Sequence, residues 1–206
     1  MKTDFKKSLP SYKAKPGQFD IIDVPPMNFL MISGGGGPTS TAYAEAIQTL
    51  YPVAYTLKFA SKQELQKDYV VPPLEALWWA DDWEVFTTKF DQSQWLWTAM
   101  LMVPTWITDA LFRAALEKVV KKSNPPSLDR IRLETLHEGT SVQTLHLGPY
   151  SDEGPTLKQM HDQFIPENGL KMHGKHHEIY FNDFRKTAPE KLRTILRQQV
   201  ARVEEN

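Results

Sequence analysis

The chain has no cysteine among its 206 residues. That absence excludes disulfides, thiolate metal sites and cysteine nucleophiles together. Neither charge is in excess: Lys+Arg number 24 and Asp+Glu 25, for a formal net charge of -1. Binding to a nucleic-acid backbone needs a basic surplus or a basic stripe, and the sequence has neither. No apolar run reaches the roughly 18 residues of a membrane-spanning helix. Met1-Lys2-Thr3-Asp4-Phe5-Lys6-Lys7 carries charge, but no apolar stretch follows it as a signal peptide requires. The expectation is a cytoplasmic protein with no direct nucleic-acid or membrane partner, and the lack of thiols is compatible with a reducing compartment.

Several chemical signatures are missing as well. The Gly34–Gly37 run is followed by Pro38-Thr39-Ser40, without the lysine of a Walker loop, and Thr39 occupies the third glycine position of the dinucleotide fingerprint. It reads as a flexible turn. Gly-x-Ser-x-Gly is absent. His173, His176 and His177 fall on a loop and on alternating strand faces, so they do not converge on a metal and read as surface histidines. Neither a metal nor a cofactor is expected.

What the chain does have is an ordinary globular composition, 41% hydrophobic and 24% charged, with length enough for a sizeable core. It also has 6 Trp and 7 Tyr, with most of the Trp between positions 78 and 106. Core packing accounts for part of that aromatic mass. So local a concentration also suits a slot for a flat, apolar ligand.

Along the chain, residues 1–18 read as an N-terminal arm. Phe19 to Val24 and Met27 to Ile32 are strand-like and are separated by Pro25-Pro26. After the glycine turn comes a helix with Ile47, Leu50, Ala54 and Leu57 at three- and four-residue steps, which Pro52 should kink or split. Leu74 to Ala80 and Trp95 to Val103 are strands, and Thr108 caps a helix carrying Phe112, Leu116 and Val119. Ile131 to Leu136 and Val142 to Leu147 are strands expected to meet across a Glu138-Gly139-Thr140 turn. A helix with Leu157, Met160 and Phe164 follows Gly148-Pro149-Tyr150, and a strand spans 176–182. Thr187-Ala188-Pro189-Glu190 has the form of a capping box, which predicts a helix placing Leu192, Ile195, Leu196 and Val200 on one face.

The most informative segment is His176-His177-Glu178-Ile179-Tyr180-Phe181-Asn182-Asp183. Strand side chains alternate, so Glu178 and Tyr180 share one face and Ile179 and Phe181 the other. One face then offers a core and the other an acid beside a phenol. Both halves of the chain read strand, strand, glycine turn, helix, strand. Superposing them pairs Leu30-Met31-Ile32-Ser33-Gly34 with Leu145-His146-Leu147-Gly148, and Glu75-Ala76-Leu77-Trp78 with Glu178-Ile179-Tyr180-Phe181. The fold class expected is α+β, with two pseudo-twofold strand-helix-strand repeats, about 19–103 and 131–206, around a central ligand cleft in one domain spanning 19–206.

The segments Leu147-Gly148-Pro149-Tyr150, Asp152-Glu153-Gly154-Pro155, Lys175-His176-His177-Glu178-Ile179-Tyr180 and Thr187-Ala188-Pro189-Glu190-Lys191-Leu192 jointly resemble the GyrI-like small-molecule-binding family. So do Tyr51 to Phe59, Pro73 to Trp79 and Trp97 to Met102 in the first half. The resemblance runs from about residue 19 and is to the stand-alone branch, since residues 1–18 are too short for a helix-turn-helix; a helix is expected in place of the family's last strand. Within that branch it points to the cyclopropanoid cyclopropyl hydrolases, in which an acidic residue activates water inside an aromatic cavity. The implied function is hydrolytic opening of the cyclopropane ring of planar DNA-alkylating xenobiotics, a genotoxin detoxification. A non-catalytic binder that sequesters aromatic or cationic drugs is the alternative. Carried onto this chain, Glu178, Tyr150 and Tyr180 are the catalytic candidates. Trp79, Trp97, Tyr55 and Glu75 are the substrate-binding candidates. The implied partner is a planar aromatic small molecule, and the protein is expected to be a monomer or weak dimer.

Overall fold

The structure is a computed structural model and describes residues 2–203. In chain order its elements are β1 (Lys2–Thr3), α1 (Phe5–Ser8), β2 (Asp20–Val24), β3 (Met27–Gly35), α2 (Thr41–Glu64), β4 (Asp68–Tyr69), β5 (Leu74–Trp79), β6 (Leu96–Val103) and α3 (Asp109–Lys122). These are followed by β7 (Arg132–Leu136), β8 (Gly139–Leu147), α4 (Gly154–Gln159), a π turn (Met160–Phe164), α5 (Ile165–Glu167), β9 (Leu170–Tyr180) and β10 (Arg193–Arg202). The fold class is α+β, and the chain divides into two compact units, residues 2–8 with 27–136 and residues 9–26 with 137–203. Among the described residues no helix is long and apolar enough to cross a membrane.

The first unit holds an antiparallel sheet in the order β5-β6-β3-β7, with β1 and β4 paired parallel beside it. Helix α2 begins where the Ser40 hydroxyl accepts the Tyr43 N–H at 3.3 Å, and it buries Ala46, Leu50, Val53 and Leu57 at helical spacing. Burial of each leucine contributes about 1.5–3 kcal/mol. Of the kink or split expected at Pro52, the split does not occur: α2 runs unbroken through it. Loss of one backbone donor is tolerated in a helix this long, whose buried face is held by packing. Thr108 caps α3, as its spacing predicts, by accepting the Leu111 N–H at 3.3 Å.

The second unit holds an antiparallel sheet in the order β2-β8-β10-β9. One face is covered by the helical run 154–167, where Met160 and Ile165 pack with Val142, Leu196 and Val200. The N-terminal strap, residues 9–18, is tied to the other face. Arg197 Nη2 donates to Ser11 O at 2.5 Å and Gln143 Nε2 to Lys13 O at 2.9 Å. Counted from β3 and from β8, each sheet places its second, third and first strands side by side in that order, and each adds a fourth strand next to the first.

Two expectations are corrected here. The segment after Pro189 is not a helix. A short 3-10 turn at Pro189–Lys191 leads into strand β10, paired with β8 on one side and β9 on the other. Being central and covered on both faces, β10 buries Thr194, Ile195, Leu196, Arg197 and Gln198 consecutively, so the strand shows no two-residue alternation and its leucines fall by chance at helical steps. Nor do 131–136 and 142–147 form a hairpin. β7 pairs with β3 in the first unit and β8 with β2 and β10 in the second, while Gly139, at φ +62, opens β8.

Candidate active site

The site is built on the helix-covered face of the second unit's sheet. Alternation along β9 sends Glu178 and Tyr180 to that face, as the sequence requires, and the Tyr180 hydroxyl donates to Glu178 Oε2 at 2.6 Å. So short a bond to a charged acceptor is among the stronger single hydrogen bonds available to a side chain. It fixes the carboxylate's orientation. His176, two residues earlier on the same face, is buried and places Nε2 3.4 Å from Glu178 Oε1.

The loop after β8 supplies the next layer. Gly148 sits at φ +127, where a side chain is strained. The turn is pinned by the Gly148 N–H to Leu192 O at 3.0 Å. That delivers Tyr150 edge-on to Tyr180, with ring centroids 5.5 Å apart, and places Phe184 6.5 Å from Tyr150. Three residues beyond Tyr150, Glu153 enters the helical run at 5% exposure. The π turn that follows carries His161, whose ring lies edge-on to His176 at 6.3 Å. Such turns re-aim single side chains within a helix and recur at functional sites.

The electrostatics mark out Glu153. Burial, reinforced by the negative charge of Glu178 and opposed by the Thr194 hydroxyl, pushes Glu153 up to about 10, so it is a neutral acid at physiological pH. Burial also raises the Tyr150 phenol to about 12, with the charges of Glu178, Glu153 and Asp183 adding to it. His161 is pushed down to about 4 by burial and by His176, against the pull of Asp162, and stays an uncharged imidazole. His161 Nε2 is buried without a hydrogen bond from the described residues.

On the opposite face of the same sheet, Glu138 accepts from Arg197 Nη1 at 2.6 Å and lies 2.9 Å from His177 Nδ1. Burial would raise Glu138, but His177 and Arg197 outweigh it and hold the carboxyl at about 2. Gln143 Oε1 accepts from Arg197 Nε at 3.1 Å. This network ties the strap to the sheet. It also corrects the reading of surface histidines: His176 and His177 are both buried, because β9 is covered on both faces at that point. Among the described residues no three His, Asp or Glu side chains are grouped to hold a metal ion.

The remaining sequence candidates lie in the first unit. Glu75 is fully buried in β5, and Trp79 is half-buried at the end of that strand. Trp97 is fully buried, edge-on to Tyr43 at 5.0 Å, in the core of its own unit. Tyr55 is 48% exposed on α2, stacked on Tyr51 at 6.3 Å. Trp95 and Trp106 are held by indole N–H bonds to Val85 O at 3.0 Å and Ser61 Oγ at 2.9 Å. Of the catalytic candidates, Glu178, Tyr180 and Tyr150 are brought together. The partner that sequence reasoning missed is Glu153, which stands in the Asp152-Glu153-Gly154-Pro155 segment. A carboxylate just before a helix start reads as dipole complementation, and nothing local marks it for burial.

Comparison with known families is decisive at this point: residues 17–199 match the GyrI-like small molecule binding domain. The chain belongs to the GyrI-like family. Its fold is similar to that of an uncharacterized conserved protein from Listeria innocua, at 40% identity and TM-score 0.89, covering 97% of this chain and 100% of that one. It is also similar to a hydrolase encoded by lin2189 from Listeria innocua, at 39% identity and TM-score 0.87, covering 98% and 100%. A further hydrolase from Listeria innocua shares 38% identity at TM-score 0.85, covering 97% and 100%. Among curated proteins none matches the sequence. Within this GyrI-like domain, Glu153, a carboxyl kept neutral by burial, lies near Glu178 and the phenols of Tyr150 and Tyr180.

Proposed function

We propose that this GyrI-like protein is a hydrolase that opens the cyclopropane ring of planar, DNA-alkylating aromatic molecules with Glu178-activated water. The observation that carries this reading is the pairing of Glu178 with the neutral Glu153. A carboxyl that burial keeps protonated can serve as the acid beside a second carboxyl, Glu178, that serves as the base. The identity to two Listeria proteins called hydrolases supports turnover over binding alone.

In such a substrate the cyclopropane is fused to a dienone. Water attacks the less hindered ring carbon as its proton passes to Glu178. The C–O bond forms, the strained C–C bond breaks, and its electron pair moves through the ring system to the carbonyl oxygen, which becomes a phenolate. Aromatisation drives the step. Tyr180 is occupied in orienting Glu178, so Tyr150 is the phenol that donates to the developing oxyanion, and Glu153 supplies the proton that makes it a phenol. Transfer of the Glu178 proton back to Glu153 through solvent resets the pair. General base assistance of this kind contributes about 10²–10⁴ in rate.

The competing reading is a binder that sequesters cationic aromatic drugs, with Glu178 as counter-charge. It is favoured by the rings of Tyr150 and Tyr180 beside that charge. Action in the cytoplasm, as a monomer or weak dimer in genotoxin resistance, belongs to the hydrolase proposal. The test is incubation with a cyclopropane-bearing alkylator followed by mass spectrometry. A protein-dependent gain of one water supports hydrolysis, and recovery of unchanged alkylator bound to the protein supports sequestration.

A further inference from the structure

The strap does more than cover the sheet. Between it and the face of the sheet opposite Glu178, the second unit forms an open cleft of about 470 Å³. That volume lies within the range of sites for small organic molecules. Its floor is apolar, formed by Leu145 of β8 and by Phe181, which follows β9. Its rim is cationic: Lys13 and Lys15 come from the strap and Arg193 opens β10. Among the described residues no carboxylate is ion-paired with any of the three. The one acid on the rim, Asp20, is engaged by Gln18 Nε2 at 2.6 Å. The Arg193 guanidinium stands over the Phe181 ring at 5.7 Å, which sets a cation directly beside the apolar floor.

We propose that this cleft is a second ligand site, for a flat aromatic molecule carrying a carboxylate or sulfonate. Its preference is opposite in charge to that of the Glu178 face, from which the sheet separates it. The cleft borrows nothing from the hydrolytic reading and stands or falls without it. Because Lys13 and Lys15 lie on the strap that Arg197 and Gln143 hold down, an anion bridging them to Arg193 would fasten the strap further.

The probe is 8-anilinonaphthalene-1-sulfonate, titrated by fluorescence, with the uncharged N-phenyl-1-naphthylamine as its comparison on the wild-type protein. The expected result is one saturable site for the sulfonate, at least about tenfold tighter than for the neutral probe and weakened by added salt. Lys15→Glu with Arg193→Glu should weaken the sulfonate by a further factor of about ten or more. Ala14→Trp, which fills the cleft without changing charge, should do the same, each variant being checked for a native near-ultraviolet spectrum. Glu178→Gln should leave the affinity unchanged. Equal affinity for both probes, lack of saturable binding, insensitivity to filling or charge reversal, or a change of affinity in either direction on Glu178→Gln would each overturn the proposal. The probe comparison on the unmodified protein decides even where a variant does not fold.

Discussion

Glu153→Gln tests whether the folded protein holds a neutral carboxylic acid. In the fold Glu153 keeps its proton up to about 10, whereas an unfolded chain loses it near the ordinary value of 4.5. A group whose folded value is raised contributes stability that is complete below the unfolded value and is lost as pH rises toward the folded one. Between pH 7 and pH 9 the folded state therefore binds one proton more than the unfolded state. Unfolding free energy then falls by about 1.4 kcal/mol per pH unit, or about 2.7 kcal/mol over that interval. The other strongly shifted groups stay out of this window: Glu138 titrates at about 2, His161 at about 4 and Tyr150 at about 12. Glutamine has the same shape and no proton to lose, so the variant should lack this slope and be the more stable protein at pH 9. Urea unfolding of both proteins at the two pH values gives the answer. Parallel pH dependences would show that Glu153 is ionised in the fold, and the acid–base pair would be wrong.

Glu138→Gln removes the carboxylate from a fully buried Arg197 and should destabilise the protein by about 3–5 kcal/mol in urea melts. Wild-type stability should also fall below pH 4.5 by up to about 3 kcal/mol as Glu138 takes up its proton near 2, since a lowered group stabilises only above its unfolded value. Gly34→Ala sets a Cβ inside contact distance of the buried Trp97 ring and should lower stability by about 1–3 kcal/mol, visible as a shift in tryptophan fluorescence melts. Tyr180→Phe deletes the hydrogen bond to Glu178 and should reduce turnover by the equivalent of about 1.5–3 kcal/mol with the fold intact, measured as single-turnover rate.

What the sequence made legible was whatever depends on local alternation. The register of β9, and hence the meeting of Glu178 with Tyr180, follows from a strand with one polar and one apolar face over those residues. The cap at Thr108 is local too. β10 was hidden because burial on both faces removes the alternation that marks a strand, leaving leucines that mimic a helix. The separation of β7 from β8 was hidden because Glu138-Gly139-Thr140 has good turn chemistry, while pairing was decided by β3 and β10, each distant in sequence. Glu153 was unreadable for the same reason. Its protonation depends on burial and on the charge of Glu178, 25 residues downstream and brought near only when the sheet forms. The tryptophans misled by count: Trp95, Trp97 and Trp106 spend their rings in the first unit's packing and two of their N–H groups in fixed bonds.

The most direct measurement of the central claim is the hydrolysis rate and ligand affinity of Glu178→Gln beside wild type, using a neutral cyclopropane-bearing alkylator. Loss of about 10²–10⁴ in rate with affinity nearly unchanged is the result expected of a general base. Hydrolysis undiminished in the variant would contradict the account.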